Sequence, residues 1–487
     1  MQIQLISSMQ AHHSSLARLP SVLMLLSLCG CQLAPPHVRP EMPTAPDYPV
    51  EFAGDTSAGS VAQTLGWRDF FADPRLEVLV SAALERNRDL AIAVAQVDEA
   101  RGVYRIQRSD RLPTVGVSAD ATRTRLNAAS LNTDTASVAQ SAVVERYSFG
   151  AGTSSFELDF WGRVRNLSTA ARAQYLSTLQ AMRAFRLSLI REVAFAYLES
   201  REAFERIALA EATVKSRRDG LRIAQRRLDA GVTSALDSRQ AETLLTQAET
   251  ELAALRLAKA RSDNLLATLV GGPIDEPLPE ALPLAQQGQL EALAAGLPSD
   301  LLNARPDILA AEERLRAARA NIGAARAAFF PTITLTGSYG YVSTDLGNLV
   351  GDSGRTWSFG PAIDVPIFDY GRRRGNLAAA NARGSIALAD YERAIQAGFQ
   401  EVADALAGRR YLADQVDAQQ RATIAQRGLA QFAQTRYREG VVSYLEVLDA
   451  ERSLFAAEQA LLQVRREEAE NLVTLYIALG GGAIDGR

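Results

Sequence analysis

Two hydrophobic rhythms alternate along this chain, and the whole alternation occurs twice. From Trp67 to about Arg108 the apolar residues Leu76, Leu79, Val80, Ala83, Leu84, Leu90 and Val94 recur at helical spacing, and Leu112-Pro113 ends the pattern. Thr114 to Thr122 then alternates: Val115, Val117, Ala119 and Ala121 share one face, Gly116, Ser118, Asp120 and Thr122 the other. A returning strand is expected from about Ser154, with Phe156, Leu158 and Phe160 opposite Glu157, Asp159 and Trp161, which leaves Arg123 to Arg146 as a polar, turn-rich link. After Arg305-Pro306-Asp307 the series restarts. A helix runs to about Phe329, Phe330-Pro331 stops it, and Ile333, Leu335, Gly337, Tyr339 and Tyr341 alternate with Thr332, Thr334, Thr336, Ser338 and Gly340. The second return strand sets Phe359, Pro361, Ile363, Val365 and Ile367 on one face and Asp364 on the other.

Each strand pair is followed by a much longer helical pattern. Trp161-Gly162-Arg163 and Tyr370-Gly371-Arg372 open runs of roughly 68 residues, and a continuous helix of that length reaches about 100 Å at 1.5 Å per residue. Both runs end at a glycine and a valine, Gly231-Val232 and Gly440-Val441, within the related stretches Ala224 to Glu242 and Ala433 to Arg452. Glycine just past a helix end takes the left-handed conformation without a Cβ penalty, and Ser234 and Ser443 are placed to cap the next helix through their hydroxyls. The return helices run from Ser234 to about Val270 and from Ser443 to about Leu479. Leu244, Leu245 and Leu252 require a neighbouring helix to cover them, and the many alanines allow close packing.

The expected organisation is a signal segment over 1–30, an anchor and tether over 31–64, a first repeat over 65–272, an inter-repeat side structure with one short helix over 273–300, a second repeat over 301–482 and a tail over 483–487. Arg18 and the apolar run Val22 to Leu28 form a secretory signal too short to span a bilayer. Six prolines between Ala34 and Pro49 favour an extended, semi-rigid tether. No later stretch has eighteen consecutive apolar residues, so a membrane-crossing part has to be a β-barrel.

Composition removes most other chemistry. The net charge of −4 supplies no broad basic field for nucleic acid. The histidines are His12, His13 and His37 and the cysteines Cys29 and Cys31, so the body of the chain offers no imidazole or thiol for catalysis and no thiolate-rich metal site. An enzyme, a cofactor and a bound metal are therefore not expected. Four strands cannot close a barrel, and lipid does not tolerate open strand edges, so several chains must contribute. Three copies give twelve strands. The fold class expected is mostly α with a β-barrel part: duplicated long helical hairpins plus four strands per chain, assembled as a trimeric barrel on an α-helical tunnel.

The Pro-anchored hairpins, the Trp-Gly-Arg and Tyr-Gly-Arg helix starts, the doubled Gly-Val tips and Tyr444 to Arg452, YLEVLDAER, resemble TolC-like outer-membrane efflux proteins over nearly the whole mature chain. Leu28-Cys29-Gly30-Cys31 resembles a lipoprotein signal, and with the HVRPEMP tether the chain is most similar to the NodT/OprM type. The resemblance implies lipidation of Cys31 and, from Gln32 beside it, an outer-membrane destination. It also implies a homotrimer with its tunnel in the periplasm, a periplasmic adaptor met at Gly231, Val232, Gly440 and Val441, and an inner-membrane transporter that passes on small toxic molecules.

Glu446 and Asp449 lie three apart on one helix face and near a three-fold axis would form rings of carboxylates that favour cations. Glu446 also completes a capping box with Ser443, so capping and gating are both open for it; Asp449 lies beyond the cap. Family members hold the tunnel shut by polar links between neighbouring hairpins, which implies a closed-state contact between the Tyr437 hydroxyl and the Asp237 carboxylate. The protein after which the TolC-like family is named has a basic residue in the second turn where this chain has Val442, a departure that leaves the full closing network open. The alternatives are a lipid-anchored coiled-coil scaffold in the periplasm that conducts nothing, and an exit duct for protein secretion.

Overall fold

The computed structural model describes residues 32–49, 61–126, 142–273, 277–287, 293–294 and 298–483. Cys31, the expected signal segment and residues 484–487 of the expected tail lie outside the described residues. Two helices, α1 (Pro74–Arg86) and α2 (Arg88–Ser109), precede strands β1 (Gly116–Leu126) and β2 (Ala142–Glu157). Then come α3 (Arg163–Asp229) and α4 (Ala235–Val270). The second repeat runs α5 (Pro306–Ala327), β3 (Thr332–Ser343), β4 (Arg355–Asp364), α6 (Arg372–Arg438) and α7 (Tyr444–Ala478). The two long helices start where the Trp-Gly-Arg and Tyr-Gly-Arg signals stand, and each has 67 residues.

The first helical run is divided at Asn87. Its side chain accepts from the Leu90 amide at 2.8 Å and donates to the Leu269 carbonyl at 2.8 Å, which caps α2 while joining it to the end of α4. The side structure between the repeats contributes the short helix Leu284–Gln287. Arg305, buried at the start of α5, pairs with Asp307 and Glu401, each at 2.7 Å.

The four strands form one antiparallel sheet in the order β1-β2-β3-β4. Register places Val117, Ala151, Tyr339 and Trp357 in one row and Ala119, Phe149, Tyr341 and Arg355 in the next, so the apolar alternation of all four strands falls on a single face. The opposite face carries Ser118, Gly150, Gly340 and Thr356. Among the described residues no further strand lies beside the outer edges of β1 and β4.

Two strand boundaries correct the sequence reading. β2 starts at Ala142 rather than near Ser154, and much of the described part of the expected polar link is strand, held at its far end by Arg123–Glu145 at 3.2 Å. A cross-strand ion pair satisfies both charges on a pleated surface, so these charges do not mark a loop. β4 spans Arg355–Asp364, so it begins earlier than Phe359 and stops before Val365.

Spatially, the chain groups into two compact units that cut across the repeats. One holds the tether up to Arg39, residues 98–176 and residues 313–389, including the sheet. There Ala170 and Ala173 of α3 pack against Ala317 and Ala320 of α5. The tether lies along α5: Arg326 donates to the Leu33 carbonyl at 3.0 Å and Arg319 to that of Val38 at 3.1 Å. Gly323 makes room, since a Cβ there would sit 2.7 Å from that of Ala34.

The other unit holds residues 40–97, 177–312 and 390–487. Its α3–α4 hairpin is closed by Ala210, Val214, Leu245, Ala248, Leu252 and Leu255, which gives Leu245 and Leu252 the cover they required. Burying each leucine contributes about 1.5–3 kcal/mol. Phe70 stacks on Tyr476 with ring centroids 3.8 Å apart, and Tyr48 of the tether is buried on Phe399 at 5.1 Å.

Candidate functional site

The two tips have the same backbone. Gly231 has φ +70° and Gly440 φ +75°, the left-handed region in which a Cβ is penalised. The amides of Gly231 and Val232 donate to Leu228 and Arg227 at 2.9 Å each, and those of Gly440 and Val441 to Tyr437 and Arg436 at 3.0 and 2.9 Å. Each helix end thereby satisfies two carbonyls that the helix leaves open. The turn throws the valine outward: Val232 is 65% exposed and Val441 66%.

The serines do not act as expected. Ser234 and Ser443 stand at the N-cap positions with extended backbones, but neither side chain makes a capping hydrogen bond, so the capping box of Ser443 and Glu446 is not formed. The carboxylates have other partners. Glu446 turns back across the tip to Arg436 at 3.0 Å, and Asp237, its counterpart in the first repeat, accepts from the Thr233 hydroxyl. The Arg436 guanidinium offers the Glu446 carboxylate an opposite charge as well as a donor, where a cap would offer only a backbone N–H.

The difference between the tips follows from two positions, Thr233 against Val442 and Leu228 against Tyr437. Repeat positions here are offset by 209, so Thr233 corresponds to Val442, Arg227 to Arg436, Asp237 to Glu446 and Leu228 to Tyr437. Val442 has no hydroxyl to offer Glu446, which takes Arg436. In the first tip Thr233 occupies Asp237, and Arg227 donates instead to the Tyr437 hydroxyl at 2.5 Å, with its guanidinium 5.9 Å from that ring. Tyr437 also lies 5.2 Å from the Tyr444 ring. Within one chain, therefore, Tyr437 is bonded to Arg227 and Asp237 to Thr233, and the chain does not bring Tyr437 and Asp237 together.

Asp449 pairs with Arg452 at 2.5 Å. Both candidate gate acids thus carry a guanidinium from their own chain. Both pairs are exposed and worth about 0–1 kcal/mol each, but they cancel much of the field that bare carboxylates would project. Arg227, Arg436 and Arg452 are the site residues that sequence reasoning missed. Only Arg452 had a local signal, since it lies three residues after Asp449 on one helix.

Between the starts of α4 and α7 lies an open groove of about 430 Å³, lined by Leu236, Gln240, Leu445, Leu448, Asp449 and Arg452 among others. Beneath it α3 packs on α7. Gly220 leaves space for Tyr444, whose hydroxyl would sit 1.9 Å from a Cβ at that position. Burial, and next the Glu451 carboxylate, push the Tyr444 phenol up to about 12. Buried Arg217 pairs with Glu451 at 3.3 Å. Further along the seam, buried Glu202 joins Arg206 of its own helix at 3.0 Å to Arg466 of α7 at 2.5 Å, and Arg466 also holds Glu470 at 2.6 Å.

Among the described residues no His, Cys, Asp and Glu cluster of three or more could hold a metal ion, and no helix is long and apolar enough to cross a membrane. The geometry supplies paired charges, exposed apolar tips and a groove.

Comparison with known proteins identifies relatives along almost the whole chain. The chain is 42% identical over 461 residues to the solvent efflux pump outer membrane protein SrpC of Pseudomonas putida, covering 94% of this chain and 97% of that protein. It is 40% identical over 458 residues to the cation efflux system protein CusC of Escherichia coli O6:H1, covering 94% and 97%. The structure of the open state of the Neisseria gonorrhoeae MtrE outer membrane channel superposes with a TM-score of 0.84 at 40% identity, covering 94% of this chain and 99% of that one. The family model described as outer membrane efflux protein matches residues 79–272 and again 297–481, one match to each repeat. With both repeats matched, and with relatives of this similarity along almost its whole length, the chain belongs to the outer membrane efflux protein family, as a channel component of the bacterial outer membrane and not an enzyme.

Proposed function

We propose that the protein works as a homotrimeric exit duct in a tripartite efflux system, receiving small toxic molecules from an inner-membrane transporter through a periplasmic adaptor. The observation that carries this reading is the sheet with one apolar face and two unpartnered edges. Lipid tolerates such a sheet only when other copies close it, and three copies of four strands make a twelve-stranded barrel. The long helices then form the periplasmic tunnel. A scaffold accounts for the helices and leaves the sheet edges without a purpose, and the close relatives are named for efflux rather than for protein secretion.

Cargo is set elsewhere in the system. Relatives of 42%, 40% and 40% identity are named for solvent, cation and antibiotic efflux, so one channel framework serves unlike cargoes and selection falls to the transporter. Cys31 carries the lipid and Gln32 directs the chain to the outer membrane. The adaptor meets Gly231, Val232, Gly440 and Val441, with the adjoining groove offering Leu236 and Leu445 as further apolar surface. The gate lies at the second tip, where Glu446 and Asp449 ring the axis beside Arg436 and Arg452. A contact of Tyr437 with Asp237 of a neighbouring chain requires Arg227 and Thr233 to release them.

Single-channel conductance in planar bilayers tests the duct and its gate together. The wild type is expected to show a small resting conductance that rises, or loses cation preference, in Glu446→Ala/Asp449→Ala. No conductance from well-inserted protein would leave the scaffold as the better reading; equal conductance in both would keep the duct and remove these acids from the gate.

A further inference from the structure

Two kinds of junction lie at the helical end of the sheet, and the chain fills one of them itself. Inside the chain, β2 passes into α3 beside α5 and β3, and the tether enters there: Arg326 holds the Leu33 carbonyl at 3.0 Å, two residues from Cys31. A Cβ at Gly323 would sit 2.7 Å from both Ala34 Cβ and Asn166 Nδ2, so α3, α5 and the tether meet at this point. The arginines of this junction are engaged. Arg163 pairs with Glu157, Arg326 with the tether, and Arg165 has a partner too.

The second kind lies between copies. In the closed assembly proposed above, the end of β4 and the start of α6 of one copy adjoin the end of α2 and the start of β1 of the next, because β1 begins and β4 ends at the same end of the sheet. Aligning Pro113 with Pro331 matches Arg105, Arg108 and Arg111 to Gly323, Arg326 and Phe329. Aligning Tyr370 with Trp161 matches Arg372, Arg373 and Arg374 to Arg163, Val164 and Arg165. Three arginines inside the chain thus become six between chains, against Asp110 and Asp369. Arg373 takes Asp369 at 2.6 Å, and Asp110 accepts from the Gln107 side chain at 2.7 Å. Arg105, Arg108, Arg111, Arg372 and Arg374 are exposed and have no ion pair among the described residues. Like charges gathered at a closing interface repel, and an anion between them relieves the repulsion.

Depth selects the anion. On one side of these arginines is the sheet's apolar face, which ends in Val117 and Ile363; between lie Leu112, Ile367 and Tyr370, which are 71%, 92% and 91% exposed. Hydrocarbon-facing strand, then exposed aliphatic and aromatic side chains, then arginine is the order in which a chain leaves a bilayer through its head groups. The β3–β4 loop at the opposite end, residues 344–354, carries Asp345 and Asp352 and no basic residue, so the positive excess marks one leaflet. We infer that each junction between copies binds the phosphate of an anionic phospholipid of the periplasmic leaflet, through Arg105, Arg108 and Arg111 of one copy and Arg372 and Arg374 of the next. Its acyl chains lie over Leu112 and Ile367 toward the apolar face. Guanidinium groups bind phosphate oxygens in bidentate pairs, and a basic pocket between membrane elements is a head-group site. This site rests on the oligomeric reading above. With Cys31 lipidated, the two kinds of junction become alike: one seats the chain's own lipid and the other a free one.

Phosphatidylglycerol and phosphatidylcholine, offered separately to the full-length oligomer in detergent, test this by native mass spectrometry. The three-chain wild type should retain up to three phosphatidylglycerols, at least fivefold better than phosphatidylcholine. Equal retention of the two overturns the site without recourse to a variant. Arg372→Gln/Arg374→Gln should lower phosphatidylglycerol retention at least fivefold, and Arg372→Lys/Arg374→Lys should keep most of it. Arg123→Gln/Arg355→Gln, at the opposite end of the sheet, should change nothing. Full retention in the Arg372→Gln/Arg374→Gln variant overturns the assignment, and a changed anion-to-cation permeability ratio alongside it would place these arginines in the duct instead. Displacement of the lipid by excess inorganic phosphate would overturn the lipid in favour of a soluble anion. A monomeric wild type sinks the oligomeric reading and the junction together; an intact three-chain assembly that retains no phosphatidylglycerol sinks the junction alone.

Discussion

Replacing Tyr437 by Phe removes one oxygen and keeps the ring, so it isolates the bond from Arg227 that joins α3 to α6 across the tips. A hydrogen bond of this kind contributes about 1 kcal/mol net, and its exposed setting excludes the higher values for buried charged donors. If the three chains open together, the loss is about 3 kcal/mol per assembly, or roughly 150-fold in the opening equilibrium; independent chains give about fivefold each. Single-channel recordings at low voltage measure this as resting open probability. The partner is identified by a double-mutant cycle. Arg227→Gln combined with Tyr437→Phe should open the channel no further than either change alone, whereas Asp237→Asn should add its own effect. A resting conductance for Tyr437→Phe within twofold of wild type would refute the reasoning, and strong coupling to Asp237 with none to Arg227 would move the bond to the interface between chains.

Thr233→Val should free Asp237 to take Arg227, releasing Tyr437 and raising the resting conductance as Tyr437→Phe does, although Thr233 does not touch Tyr437; no change would break that chain of exchanges. Tyr444 keeps its proton in the folded tip up to about 12 against 10.0 unfolded, so its contribution to stability is complete below pH 10 and is lost as pH rises toward 12. Hydrogen exchange at the tip should quicken over that window in wild type and lack this component in Tyr444→Phe. Glu202→Ala takes a shared carboxylate from half-buried Arg206 and Arg466 and should cost about 2 kcal/mol, read as a lower urea midpoint; a loss under 0.5 kcal/mol would show that Glu251 and Glu470 suffice. Gly440→Ala forces a Cβ into φ +75° and should cost about 1–2 kcal/mol in the same assay, with Gly440→Asn losing less.

The helices and tips were legible because their causes are local. Trp161-Gly162-Arg163 and Tyr370-Gly371-Arg372 start the long helices, and a glycine that must turn left-handed ends each one. Strand existence was legible from alternation, whereas the start of β2 was not, because Glu145 finds its partner Arg123 only once the strands lie side by side. The same limit applies to the site. Sequence spacing marks Ser443 and Glu446 as a capping box, but the choice of Arg436 depends on where the turn returns the helix. Arg227 and Tyr437 are 210 residues apart, and no local pattern joins them.

The duplication makes one tip a control for the other. Gly231 and Gly440, with Val232 and Val441, keep the same turn and the same outward valine, so those features serve what both tips share: closing a hairpin and presenting apolar surface at its end. Leu228 against Tyr437 and Gln240 against Asp449 are two of the positions at which the second tip gains a hydroxyl or a charge; Ala235 against Tyr444 and Thr243 against Arg452 are others. These gains lie on the second hairpin, while the arginine that bonds Tyr437 comes from the first. A link between hairpins of one chain needs such inequality. Two tips of the second kind would each pair the arginine with their own carboxylate, as the second does through Glu446, which holds it away from the other hairpin. The first tip has a donor to share because Thr233 occupies Asp237, and Val442 removes the matching hydroxyl from the second.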